Sequence, residues 1–240
     1  MSHRPIVISA QGTPIEERSV GELVAEQPGR SRVFQEYEID FCCKGGQTVR
    51  QACENRAVAL EELIGKLEAE DVGSAVSAGN PAELPPSELA DYIIERHHGY
   101  LRTELPRLHA MAQRVAQVHG GHTTSLVQVF NIFCELFVEL DSHMRKEEEI
   151  LFPAVSALCC GAKPPIPMGG PISQMMEEHE EAGAALRQLR ELTHGYQPPS
   201  EACNTWRALF SGLADLEGDL HKHIHLENHV LFPAANRLTA

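Results

Sequence analysis

His143-Met144-Arg145-Lys146-Glu147-Glu148-Glu149-Ile150-Leu151-Phe152-Pro153-Ala154 returns near the C-terminus as His223-Ile224-His225-Leu226-Glu227-Asn228-His229-Val230-Leu231-Phe232-Pro233-Ala234. His, Glu, Leu, Phe, Pro and Ala hold the same offsets in both copies. Upstream of the first copy, Ile132, Leu136 and Leu140 lead into His143, Glu147, Ile150 and Ala154 by alternating steps of three and four. Leu216 and Leu220 lead into His223, Glu227, Val230 and Ala234 in the same way. Such steps keep side chains on one face of a helix. Each His-x-x-x-Glu pair therefore lies inside an apolar stripe. The repeat implies two related helical hairpins with approximate two-fold symmetry.

Two more helices carry a similar stripe: Ile94, His98, Leu101, Leu105 and Leu108 in one, and Ile172, Met175, His179, Ala182, Leu186 and Leu189 in the other. Helices are predicted over about 87–119, 125–158, 172–194 and 199–238. The breaks are Gly120-Gly121, the Pro- and Gly-rich run 161–171, and Gly195 to Pro198. Four amphipathic helices with short connections predict an antiparallel four-helix bundle over 87–240. Pro106 should kink its first helix.

Ahead of the bundle, Ser19-Val20-Gly21-Glu22 has the capping-box pattern and opens a short helix. A second short helix is predicted over 29–37. Thr48 caps a longer one, to about Glu70, with Val49, Cys53, Ala57, Leu60, Leu63 and Leu67 on its stripe. Residues 1–70 thus form a small helical domain containing the vicinal pair Cys42-Cys43. Residues 71–86, with Gly, Ser, Asn and several prolines, read as a flexible linker. The fold class is all-α.

The chain has 240 residues and a formal charge of -14, from 34 acidic against 20 basic residues. That balance argues against nucleic acid and anionic lipid as partners. No apolar stretch is long enough to span a bilayer, and Met1-Ser2-His3-Arg4-Pro5 lacks the apolar core of a signal peptide. The expected location is the cytoplasm, which the seven cysteines fit: an odd count with adjacent pairs does not suit a secreted disulfide framework.

Thirteen histidines are unusual for this length. Most read as ordinary surface or satisfied core residues. His97 lies about 100° around the helix from His98 and leaves the stripe; His221, His225 and His229 share a face turned away from His223. His98, His143, His179 and His223 are different, because with Glu147 and Glu227 they face a core. Buried ionisable groups are costly unless paired or metal-bound. Imidazoles with carboxylates suit Fe or Mn better than a thiolate-type structural Zn site. Two carboxylates can bridge two metals about 3.5–4 Å apart, leaving two histidines for each. Glu139, a turn before His143, and Glu178, beside His179, could each hold an imidazole proton or be solvated charges. Cys42 and Cys43 approach a helix N-terminus, which lowers thiol pKa; they suit an easily reduced, redox-active disulfide or a shared soft metal, or a buried structural pair. Cys53, Cys134 and Cys203 read as packing residues in helices, and Cys159-Cys160 has no assigned role.

The chain resembles the repair-of-iron-centres family of hemerythrin-like di-iron proteins. The resemblance rests on Arg96-His97-His98 ahead of Leu105-Pro106, His143 and Glu147 with Leu-Phe-Pro, and Glu178-His179-Glu180. It extends to Ala202-Cys203 before Trp206, to His223 and Glu227 with their Leu-Phe-Pro, and to Asp40-Phe41-Cys42-Cys43-Lys44-Gly45-Gly46. It implies two non-haem irons on His98, His143, Glu147, His179, His223 and Glu227, with bridging carboxylates. The implied role is repair of iron–sulfur clusters damaged by oxidative or nitrosative stress, through iron donation or reaction with nitric oxide. Damaged or apo iron–sulfur proteins would be the partners, with nitric oxide or oxygen as small ligands. Whether the centre is an enzyme reducing nitric oxide stays open, as does a homodimer. The alternative is a hemerythrin-like oxygen or nitric oxide binder or sensor. Where oxygen carriers place a further histidine, one turn after His179, this chain has Gly183, beside Ala182. That favours an open coordination position.

Overall fold

The structure is a computed structural model that describes residues 13–73 and 79–239. The Met1–Pro5 stretch and residues 74–78 of the expected linker lie outside the described residues. The chain divides into two compact units: residues 1–84 with 224–233, and residues 85–223 with 234–240. Its regular elements among the described residues are helical, with one isolated antiparallel bridge between Ser19 and Thr48.

In the first unit, α1 (Val20–Glu26) starts where the Ser19 hydroxyl accepts the Glu22 N–H, and α2 (Arg30–Glu36) follows. Thr48 and Gln51 form a reciprocal capping box at the start of α3 (Val49–Arg56). The single helix expected to about Glu70 is in fact two. Ala57 takes a left-handed φ of 53°, Val58 N–H reaches back to the Cys53 carbonyl, and α4 (Leu60–Gly73) begins afresh. This is a helix stop of the type usually marked by glycine; alanine gave no such signal. α4 continues through Gly73, so helix replaces linker at 71–73. There the Arg30 guanidinium grips Asp71 at 2.8 and 2.7 Å. Asn80 donates to the Ala25 and Glu26 carbonyls. Phe34, Phe41, Leu23, Val49, Leu63 and Leu67 fill the core of this unit, together with Ile224.

Four helices make the bundle. α5 covers 86–119, α6 covers 125–159, α7 is Gly169–Leu192, and α8 covers 204–238. Residues 224–233 belong by contact to the first unit but lie on the unbroken run of α8. Leu101, Leu105, Phe133, Leu136, Leu186, Leu213 and Leu216 are among the residues of the bundle core, each fully buried leucine contributing about 1.5–3 kcal/mol. Pro106 is carried inside α5 without a break in the helix. Among the described residues, no helix is long and apolar enough to cross a membrane.

Candidate metal centre

Three of the bundle helices contain a π turn, and each turn carries a residue of the expected metal set. The turns are Ile94–His98 in α5, Glu147–Leu151 in α6 and Glu227–Leu231 in α8. In each, an N–H bonds five residues back: Gly99 to Ile94, Phe152 to Glu147, and Phe232 to Glu227. One extra residue per turn moves the apolar seam by one position. Ile150, expected on the seam, is 46% exposed, and Leu151 is buried instead. Val230 likewise yields to Leu231, and Ile94 to Ile93. Pro153 and Pro233 follow two of the turns at equal offsets and have no N–H to give, so normal helical bonding cannot run through them. That constant offset was the available sequence signal for the irregularity.

All six expected ligands are buried. Donor atoms of His98, Glu147, His223 and Glu227 lie within 4.8 Å of one another, and so do those of His143, Glu147, His179 and Glu227. Both groups share both carboxylates. His98 Nε2 and His223 Nε2 are 3.3 Å apart, and His143 Nε2 and His179 Nε2 are 3.2 Å apart. The Glu147 oxygens stand 3.3 Å from His98 Nε2 and 3.3 Å from His143 Nε2.

The outward ring nitrogens of His98 and His143 are held. His98 Nδ1 is 2.6 Å from Glu148, which Arg102 also grips. His143 Nδ1 is 2.8 Å from Glu178, which Lys146 also grips. A carboxylate on Nδ1 keeps the proton there and points the Nε2 lone pair inward. The His143 hydrogen bond, aided by Lys146, outweighs burial and holds the Glu178 carboxyl down at about 2. Burial pushes Glu148 up, but Arg102 and His98 more than offset it and leave its pKa lowered. Glu178 thus has the proton-holding position open to it in the sequence. Glu139 is exposed, makes no hydrogen bond to an imidazole, and is pushed up by burial and by Glu181. Glu148 was missed; its cue was adjacency to Glu147, as Glu178 adjoins His179. Glu148→Gln or Glu178→Gln should weaken iron binding about 10–100-fold in chelator competition. Unchanged affinity in both would leave the two carboxylates without that role.

His97 is a second omission. It does not leave the core: it is buried, its Nδ1 lies 3.1 Å from both Asp219 oxygens, and its ring stacks on His223 at 5.3 Å and 6°. A wider turn separates neighbouring residues by a smaller angle, which brings His97 inward beside His98.

The donor set fits a cation. Glu147 is 0% exposed, and neither of its oxygens has a hydrogen-bond partner. A buried carboxylate facing two imidazole nitrogens without a donor is costly. A cation between them removes that cost. The donors are nitrogen and oxygen, and no cysteine joins either group, which suits iron or manganese.

The dithiol loop belongs to the first unit. Asp40 Oδ1 accepts the N–H groups of Cys42, Cys43 and Lys44 at 3.1, 2.9 and 3.2 Å, and the Cys42 thiol at 3.3 Å. The two sulfurs are 3.7 Å apart, both in the thiol form. Contrary to the sequence expectation, the Cys42 thiol is pushed well above its usual range by its hydrogen bond with Cys43, by burial and by Asp40. Residues 44–47 separate it from the α3 N-terminus, where Thr48 is the cap. Cys53 is buried and Cys134 half-buried, as packing residues should be, but Cys203 is exposed and precedes α8.

Histidines and carboxylates converging inside four antiparallel helices define a hemerythrin-like cation-binding protein. The family described as "Hemerythrin HHE cation binding domain" matches residues 89–235, and the "Domain of Unknown function (DUF542)" matches residues 16–71. The chain is 40% identical over 221 residues to the iron-sulfur cluster repair protein YtfE of Pectobacterium carotovorum, covering 92% of this chain and 97% of that protein. It is 40% identical over 223 residues to the YtfE of Edwardsiella ictaluri, covering 91% and 96%. To an Escherichia coli YtfE it is 37% identical over 228 residues, again covering 91% and 96%. The chain belongs to this repair-of-iron-centres family.

Proposed function

We propose that this chain repairs damaged iron–sulfur clusters by means of a di-iron centre held by His98, His143, Glu147, His179, His223 and Glu227. The observation that carries the reading is the sharing of Glu147 and Glu227 by two histidine pairs. Iron bound there would supply metal for transfer to an apo-cluster and a redox-active centre for nitric oxide or oxygen. His98 and His143 would offer Nε2 to the metal, with Glu148 and Glu178 holding the protons on their Nδ1 atoms. Clients are iron–sulfur proteins, as the relatives' name says of those proteins. We read residues 1–70 as a thiol-bearing domain and 87–240 as the iron-bearing one, working in the cytoplasm. Cys42 and Cys43 would pass electrons or receive iron during transfer.

The buried pair Ala182 and Gly183, beyond His179 on α7, also suits a gas binder or sensor, since it leaves that helix one ligand poorer than in oxygen carriers. Two assays on the iron-loaded chain separate these readings: iron transfer to an apo iron–sulfur protein, and single-turnover gas analysis with nitric oxide. Repair predicts transfer; binding or sensing alone predicts none. Cys42→Ser with Cys43→Ser should keep its iron and lose transfer. Transfer equal to wild type would remove the thiols from the pathway, and lost iron would make them ligands. Iron analysis with Mössbauer spectroscopy tests the centre itself: two coupled irons per chain are expected, and one zinc would overturn the reading.

A further inference from the structure

The 224–233 segment of α8 does more than carry Glu227. Within the first unit its other faces meet the dithiol loop. His229 Nε2 lies 2.7 Å from the Cys42 carbonyl oxygen, as a donor to it, and Asn228 Nδ2 donates to the same oxygen at 3.3 Å. One turn earlier, buried His225 points Nδ1 at the Phe41 carbonyl, 3.3 Å away, and meets the Phe41 ring edge-on at 5.7 Å. The His229 ring sits in a slot made by two glycines. A Cβ on Gly21 would lie 2.5 Å from His229 Nδ1, and one on Gly45 would lie 2.5 Å from its Nε2. A Cβ on Gly45 would also strike the Phe41 carbonyl, at 2.3 Å, so Gly21 is the position that the imidazole alone keeps bare and marks the fitted contact.

The hold acts on one residue from two sides. The Cys42 and Cys43 N–H groups are fixed on Asp40, and the Cys42 carbonyl is fixed on His229 and Asn228. With its backbone held on both sides and its thiol on Asp40, Cys42 is 2% exposed. Cys43, half-buried, presents the accessible sulfur of the pair.

We infer that His229 is a positioning residue for the dithiol: it keeps the Cys42 thiol turned in on Asp40, so that Cys43 reacts first and Cys42 second. The inference rests on the reading that the dithiol takes part in repair, but the ordering of the two thiols is a property of the loop that can be measured without any repair assay. Release of the carbonyl removes one buried hydrogen bond and lets the loop open, which raises the accessibility of Cys42.

The test is alkylation of the full, iron-loaded chain by iodoacetamide, in which a cysteine sulfur displaces iodide and its proton passes to buffer. Fragment-ion mapping separates the adjacent thiols from each other and from the other cysteines. In the wild type, Cys43 should react at least about tenfold faster than Cys42. His229→Ala should speed Cys42 by about tenfold, the change expected from one lost buried hydrogen bond. His229→Gln, which keeps a side-chain N–H donor, should restore most of the protection. Gly21→Ala leaves His229 in place but crowds its ring, and should act like His229→Ala; if the latter fails to fold, Gly21→Ala decides. Cys42 as fast as Cys43 in the wild type, or unchanged in the folded variants, overturns the inference. Failure of the dithiol's part in repair would appear differently, as unaltered iron transfer in the double serine variant while the wild-type chain keeps its alkylation order.

Discussion

Glu147→Gln is expected to empty both halves of the metal centre while making the metal-free protein more stable. The carboxylate belongs to both donor groups, so its loss should reach both metals and lower iron affinity by more than about 100-fold, beyond the effect of an outer carboxylate. The stability effect has the opposite sign in the absence of metal. In the metal-free wild type, Glu147 is a fully buried carboxylate with no hydrogen-bond donor. A neutral amide of the same shape avoids burying that charge, and its N–H can reach an imidazole nitrogen. Relief of about 1–3 kcal/mol is expected, seen as a higher Tm for the variant than for the wild type once both are stripped by chelator. With iron present the order should reverse, because only the wild type gains metal-binding free energy. Full iron retention would end the assignment of Glu147. Loss of one iron with the other kept would show that the carboxylate is not shared.

Phe34→Ala is expected to unfold the small N-terminal unit. The ring is fully buried among Leu23, Val49, Leu63 and Leu67, and removing such a ring costs about 3–5 kcal/mol. A unit of this size has little stability in reserve. The four histidines and Glu147 belong to the second unit, but Glu227 lies on the 224–233 segment of the first, so iron should be held more weakly. Limited proteolysis followed by mass spectrometry should show cleavage within 13–73 and a protected bundle. Resistance equal to wild type would mean that Phe34 is not a keystone of that core.

The two copies of His-x-x-x-Glu with Leu-Phe-Pro, together with the stripes around His98 and His179, were enough to place four helices and six buried candidate ligands, because helix period and apolar patterning are local properties that a single chain displays. The stop at Ala57 was hidden, since the left-handed position carries alanine rather than glycine. The three π turns were missed as well, although Pro153 and Pro233 marked two of them. They shift the seam by one residue, so strict period-3.6 counting put Ile94, Ile150 and Val230 inside, where the structure has Ile93, Leu151 and Leu231.

Partnerships between distant residues account for the rest. Glu148 reaches His98 from another helix, Asp219 holds His97, and His229 holds Cys42 across most of the chain's length. Local sequence does not say which partner each of these residues meets, and the same is true of the raised Cys42 pKa, which follows from Cys43, burial and Asp40 rather than from a nearby helix end. The sequence by itself determined that the six candidate ligands face inward and what chemistry they can do, because periodicity and residue type suffice for that away from the π turns. Only the tertiary structure decided which carboxylates fix the imidazole protons and which histidines serve the thiols, because those depend on distances between helices that packing alone sets.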